Sequence, residues 1–344
     1  MTSRTQSCKR ILITGGAGFI GANLVRRILR LNDLAESPDR AGVLVLDSFS
    51  RNQHSALAEL ESRPDLEVIQ GDVRDAEEVD RVTDGVDLIY HLSSIVGVDQ
   101  YCESPLDVID VNVIGTRNIL ECALRKNIRV LFTSTSEIFG KNPDIPWKED
   151  AERVLGSTNV DRWSYSTSKA LCEHMIFGLV KHKGLDCSVV RFFNVYGPGQ
   201  SPNFVISRGV HRVLLNESPL LYDSGVQTRC FTYIDDALDG MCLAAKSEQA
   251  SGHAFNIGSD VPTSIREVND IIIAEAGKSG RISSTPVDTA QTYGDRYEDI
   301  SNRVPDVTKA SEILGWNATV PLRDGVRKFI EWAGHNTWWL ERDI

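Results

Sequence analysis

The sequence predicts an α/β protein: a doubly wound parallel sheet over residues 1–195, with a smaller α/β domain over 196–344 and some interleaving of segments between them. Three observations carry this. Apolar, β-branched runs alternate with helical patterns through the first half of the chain. The runs are continuous rather than alternating, as in strands covered on both faces. A glycine-rich turn joins the first run to the first helical pattern.

In order, "RILITGG" is predicted to be the first strand, followed by a helix over 19–31, "FIGANLVRRILRL", with Leu24, Ile28 and Leu31 on one face. "GVLVLDS", "LEVIQGDV" and "VDLIYHLSS" read as the second, third and fourth strands. "VIGTRNILECALRKN" is a helix and "RVLFTSTS" the fifth strand. "YSTSKALCEHMIFGLVKHKG" is a long helix ending at Gly184, and "LDCSVVRFFNVYGPGQ" a sixth strand entering a Gly/Pro loop. Beyond this point the alternation weakens into short apolar runs with Pro and Gly breaks, and a terminal helix, "LRDGVRKFIEWAG".

A chain of 344 residues is long enough for a sizeable core. Its net charge of −11, with no long basic run, argues against nucleic acid or an anionic membrane as partner. An acidic protein still binds phosphate where an Arg or a helix N-terminus supplies the charge. The seven cysteines form no C-x-x-C pair and are read as reduced thiols of a cytoplasmic protein. No apolar run approaches the length of a membrane span, and "MTSRTQSCKR" lacks the apolar core of a signal peptide. The seven histidines are scattered without H-E-x-x-H, so no metal site is expected.

The turn "ITGGAGFIG" has the context a dinucleotide requires, a strand before it and a helix after it. Gly16, Gly18 and Gly21 fit G-x-G-x-x-G; Gly15, Gly18 and Gly21 fit G-x-x-G-x-x-G. Glycine allows a tight turn and close approach to a pyrophosphate, and Phe19 and Ile20 open the helix whose N–H groups face it. Asp47, ending the second strand, is placed to accept hydrogen bonds from both ribose hydroxyls and to repel a 2′-phosphate, which favours NAD over NADP. The insert "NDLAESPDRAG" explains its long spacing from the glycines, and Arg51 lies nearby. Asp72 and Val73 would flank the adenine, Leu92 in "HLSS" would line the cofactor, and Asn112 would bond backbone or ribose. The plainer alternative for each is a strand-end turn residue.

Tyr165 and Lys169 are four residues apart on a helix and share a face. A nearby ammonium favours tyrosinate, which suits Tyr165 to act as general base toward a hydroxyl. The fifth strand ends in "TSTSE", hydroxyls at Thr133, Ser134, Thr135 and Ser136 and a carboxylate at Glu137, at the sheet edge where doubly wound folds bind ligands.

Together, TGGAGFIG, Asp47, the hydroxyl strand end and Tyr165-x-x-x-Lys169 resemble the extended short-chain dehydrogenase/reductase family, whose members include NAD-dependent nucleotide-sugar epimerases, dehydratases and decarboxylases. "RFFNVYGPGQ", "QTRCFTYIDDA", "FNIGS" and "ASEILGWNATVPL" extend the likeness over nearly the whole chain. The resemblance implies a Rossmann-type sheet, a tightly held NAD, a nucleotide-diphosphate sugar bound by the C-terminal domain, and a homodimer built on two long helices. It implies Thr135 as the hydroxyl on the reacting sugar oxygen, Tyr165 as base with Lys169 as its partner, and Asn194 and Arg229 as diphosphate contacts. Cys230 stands where an Asp is usual, a departure expected to affect local packing. Simple 4-epimerases have no acid at the position of Glu137, and 4,6-dehydratases have Asp-Glu where this chain has Ser136-Glu137.

Thr-Ser-Glu is similar to UDP-glucuronic acid decarboxylases, as are "NVDRWSYSTSK" and "YGDRYEDISNRVPDV". That likeness implies Arg303 as the residue that meets the substrate carboxylate; the plainer reading pairs it with Asp306 or Glu298. The implied chemistry is oxidation at sugar carbon 4 by Tyr165 and NAD, giving a β-keto acid. This loses CO2 to an enolate held by Thr135, Ser136 and Tyr165, with Glu137 and Arg303 handling the carboxylate and the proton for carbon 5. A uronic acid epimerase or a 4,6-dehydratase is the alternative.

Overall fold

The computed structural model describes residues 10–35, 40–50, 56–288 and 300–342. Seven parallel strands form the main sheet. Six come from the first half: β1 (Arg10–Thr14), β2 (Gly42–Asp47), β3 (Leu66–Gln70), β4 (Leu88–His91), β5 (Arg129–Thr135) and β6 (Cys187–Phe192). The seventh, Ala254–Ile257, comes from the second half and pairs with β6, so the order across the sheet is Ala254–Ile257, β6, β5, β4, β1, β2, β3. The expected doubly wound sheet is present, and a C-terminal segment completes it.

Successive residues of a strand face opposite sides, and here both sides are apolar. Ile13, Val45, Tyr90 and Leu131 meet Leu24, Val25 and Ile28 of helix α1 (Phe19–Leu34) on one side. Leu12, Leu44, Ile89 and Val130 face the other side. There they meet Val79 and Val82 of α2 (Ala76–Val82), Ile119 and Leu120 of a 22-residue helix over Pro105–Lys126, and Ile176 of one over Trp163–Lys183. This double coverage is why the strands read as unbroken apolar runs.

A short helix, α3 (Val98–Glu103), precedes Pro105–Lys126, here α4, which starts eight residues before the pattern in the sequence suggests, with Pro105 at its first position. Proline is suited to that position because its missing N–H would have no helical acceptor there. The helix Trp163–Lys183, here α5, ends at Gly184 with φ +73°, the left-handed C-cap that glycine adopts without a Cβ penalty.

The strand order reverses between β1 and β4, which opens a crevice beyond their carboxyl ends. A small sheet, with strand Thr228–Cys230 between Pro262–Ser264 and Asn302–Arg303, reaches the end of β5 through Arg303. Arg303 is in register with Arg229. Trp147, fully buried after β5, donates to Val304 O at 2.8 Å and accepts from Asp306 N at 2.8 Å, anchoring the strand that carries Arg303.

Candidate active site

The glycine turn is shaped by contact with the next strand end. Gly15 has φ +69°, and a Cβ there would lie 2.8 Å from Ser93 N. A Cβ on Gly21 would collide with Gly15 O and Gly16 Cα, so glycine lets α1 start against its own turn. Gly18 is the N-cap of α1 and offers no side-chain cap, and the first intrahelical bond is made by Ala22 N to Gly18 O. The N–H groups of Phe19, Ile20 and Gly21 precede that bond, which makes this helix end a fitting cradle for a pyrophosphate.

Asp47 Oδ2 accepts from Ala17 N at 2.9 Å and Oδ1 from Phe49 N at 2.9 Å, so its carboxylate is fixed beside the turn. Arg51 lies outside the described residues. Asp72 is engaged by Arg74, with Nη2 to Oδ2 at 2.7 Å, while Val73 is buried against Gly115. Leu92 N donates to Thr14 O at 3.1 Å, placing Leu92 at the crevice wall. Asn112 lies deeper than the sequence suggests. It is fully buried, accepts from Ser94 Oγ at 2.7 Å and donates to Ser168 Oγ at 3.0 Å, tying the end of β4 to α5.

The hydroxyl strand end lies across the crevice, with Thr135 ending β5 and Ser136 and Glu137 opening a 3-10 turn over Ser136–Phe139, all three buried. The Tyr165 phenol faces the hydroxyls of Thr135 and Ser94, which favour its ionised form. Its ring stacks on Tyr101 of α3, centroids 4.6 Å apart and 6° from parallel. Lys169 Nζ donates to Thr133 O at 2.9 Å and lies over the Phe132 ring. The two titrating groups are set differently from the sequence expectation. Burial and the Glu137 carboxylate hold the Tyr165 phenol above its ordinary range, and burial pushes Lys169 down to about 8. The Thr135 and Ser94 hydroxyls and the Arg303 charge act the other way, and an oxidised nicotinamide ring would add positive charge to them.

Glu137 is the centre of a buried charge cluster. Arg303 Nη1 lies 2.9 Å from Oε1, so Arg303 pairs with this acid; Asp306 instead caps Thr308 N, and Glu298 is outside the described residues. Arg162 Nη2 lies 3.5 Å from Oε2. Arg229 Nη1 donates to Thr228 O at 2.8 Å and Ser301 O at 3.2 Å, and its charge also reaches Glu137. Burial alone would raise the Glu137 carboxyl; the guanidiniums of Arg303 and Arg162 outweigh it and hold the carboxyl below its usual range. Asn194 follows β6 at φ +35°, and its buried Oδ1 meets no donor among the described residues, as a group awaiting a ligand would. Cys230 is buried, and its thiol is pushed up to about 12 by burial.

Sequence reasoning did not single out Arg162 or Tyr101. Arg162 had a signal, a cation at the start of a predicted helix, where the helix dipole opposes it. Tyr101 had none, because α3 is too short to show a period.

The family model of GDP-mannose 4,6 dehydratase matches residues 12–329. The chain belongs to this family. This member of the GDP-mannose 4,6 dehydratase family is 35% identical, over 94% of its length and 97% of the relative's, to a UDP-N-acetyl-α-D-glucosaminuronate decarboxylase from Bacillus cytotoxicus. It is 32% identical to UDP-glucuronic acid decarboxylase 1 of Xenopus tropicalis, over 94% of this chain and 72% of that one. Among solved structures, a dTDP-glucose 4,6-dehydratase from Streptomyces venezuelae with NAD bound superposes with a TM-score of 0.84 at 28% identity, covering 96% of this chain and 99% of the other. The extended short-chain dehydrogenase/reductase resemblance holds through this family and its Rossmann-type sheet.

Proposed function

We propose that the protein is an NAD-dependent decarboxylase of a UDP-hexuronate, with UDP-glucuronic acid as substrate. The single observation that carries this reading is the buried Arg303–Glu137 pair beside Thr135 and Tyr165. A hydroxyl oxidation site needs neither an acid nor a guanidinium fork, whereas a uronate brings a planar carboxylate that an Arg holds by both oxygens.

NAD, when bound, accepts the hydride and contributes the positive charge of its oxidised ring. Gly15, Gly18 and the N–H groups of Phe19, Ile20 and Gly21 would hold its pyrophosphate, Asp47 its adenosine ribose, and Val73 and Leu92 its flanks. Tyr165 takes the proton of the carbon 4 hydroxyl, with Thr135 bonded to the same oxygen and Lys169 supporting the shelf from beneath. The resulting ketone is β to the carboxylate held by Arg303. Loss of CO2 leaves an enolate whose oxygen Thr135, Ser136 and Tyr165 stabilise. Tyr165, now carrying the carbon 4 proton, is better placed than Glu137 to protonate carbon 5, because the arginines hold Glu137 ionised.

Asn194 and Arg229 would take the diphosphate. The substituent on carbon 2 is remote from this chemistry, so an N-acetylated uronate is the natural second substrate to compare. Mass spectrometry after incubation with UDP-glucuronic acid and NAD tests the reading. Loss of CO2 together with H2 gives a 4-keto pentose and free NADH, and loss of CO2 alone gives a re-reduced pentose. An isomer of unchanged mass would establish an epimerase instead, and loss of water a dehydratase.

A homodimer through α4 and α5 completes the proposal. Supporting it, Leu106, Ile109 and Ile114 of α4 and Leu171 of α5 are exposed apolar residues on two helices that pack side by side. Leu106→Glu combined with Leu171→Glu is expected to shift the light-scattering mass from dimer to monomer. A wild-type monomer would contradict it.

A further inference from the structure

Resting on the uronate reading above, we infer that Arg162 is a positioning residue: it is the fixed counter-ion of Glu137, which frees Arg303 to turn to the substrate carboxylate. The two guanidiniums take different oxygens of one acid, Arg303 on Oε1 at 2.9 Å and Arg162 on Oε2 at 3.5 Å. They come from unrelated parts of the chain, a strand of the small sheet and the residue before α5.

Arg162 is 1% exposed and sits at a helix N-terminus, where both burial and the helix dipole oppose a cation. Helix α5 gains no side-chain cap from it. Among the described residues, Glu137 and the face of Trp163, 5.2 Å from the guanidinium carbon, offset that cost.

The charge count explains the need. If Arg303 were the sole counter-ion, its transfer to a substrate carboxylate would strand Glu137 as a buried anion beside a second one. With Arg162 in place, two carboxylates face two guanidiniums after the substrate enters, and Arg229 adds a third cation from the neighbouring strand. Among the described residues, the other titrating groups facing Glu137 are the phenols of Tyr165 and Tyr101. Arg162 also lies three residues before Tyr165, so one element positions the base and the counter-ion together.

The test compares wild type, Arg162→Gln and Arg162→Lys in the full chain, reading kcat for UDP-glucuronic acid and melting temperature, each against pH. Glu137 is held below its unfolded value, so what depends on its charge is present at neutral pH and lost as pH falls through the folded value. Removing one cation should move that acid-side loss up by about one pH unit in both readouts, with Arg162→Lys intermediate. With Glu137→Gln as background, Arg162→Gln should no longer move the acid-side limb of the melting temperature, because the remaining carboxylates titrate alike in both.

A kcat reduced by one factor at every pH and not restored by Lys would overturn the inference and make Arg162 a packing residue. If Arg162→Gln does not fold, Arg162→Lys decides alone, because an unmoved acid limb overturns the inference. If the wild-type protein releases no CO2, the uronate reading fails by itself. The melting-temperature series then decides Arg162, and equal acid-side behaviour in wild type and Arg162→Gln counts against it.

Discussion

Tyr165→Phe is expected to lower turnover by about 10²–10⁴-fold, the range general acid–base catalysis contributes, while NAD binding and fold survive. The ring stays stacked on Tyr101, and only the phenol's polar approach to Thr135 and Ser94 is lost. That loss costs about 1 kcal/mol of stability. The phenol faces the end of the β5 hydroxyl shelf, beside the Lys169–Thr133 and Ser134–Glu173 bonds that hold β5 to α5. Turnover should be measured beside cofactor retention and melting temperature. Activity within a few-fold of wild type, with cofactor retained, would remove Tyr165 as the base.

Arg303→Ala should separate the two halves of the reaction. Oxidation at carbon 4 depends on Tyr165 and Thr135 and should fall by about tenfold, through weaker substrate orientation and loss of the Arg303 charge that favours an ionised phenol. Release of CO2 should fall further, by about 10²-fold or more, because the carboxylate loses its fork and the Glu137 Oε1 contact is lost. Breaking a buried ion pair costs about 3–5 kcal/mol, and Arg162 on the second oxygen keeps this variant near the lower end. Rapid quenching of a single turnover should trap a 4-keto sugar that still carries its carboxylate. Equal loss of both steps would mean that Arg303 serves binding alone.

Much of this was legible because it is local. Five of the six strands of the first half carry continuous apolar runs, since both sheet faces are covered there; β3, at the edge, exposes Glu67 and Gln70. Gly15, Gly21 and Gly184 mark backbone positions that a side chain would not fit or would strain. Tyr165 and Lys169 share a face by spacing alone, and "TSTSE" marks the end of β5.

What was not legible depends on distant partners. The strand Ala254–Ile257 adds to β6 across more than sixty intervening residues, which leaves no periodic trace. Asn112 reads as a cofactor contact and is instead enclosed by Ser94 and Ser168. Arg303 and Glu137 are each visible, but their contact depends on the small sheet that the Trp147 anchor holds in place. The sign of the Tyr165 shift was missed because spacing gives proximity to Lys169 but not the desolvation that opposes it.

The proposed reaction oxidises a sugar hydroxyl and thereby releases the neighbouring carboxylate, both at one site. The direct measurement uses UDP-glucuronic acid labelled with carbon-13 in the carboxyl group, incubated with the wild-type protein and NAD. Labelled CO2 is expected in step with turnover, together with an unlabelled nucleotide pentose or 4-keto pentose. Label retained in a nucleotide sugar that has been isomerised or dehydrated would contradict it.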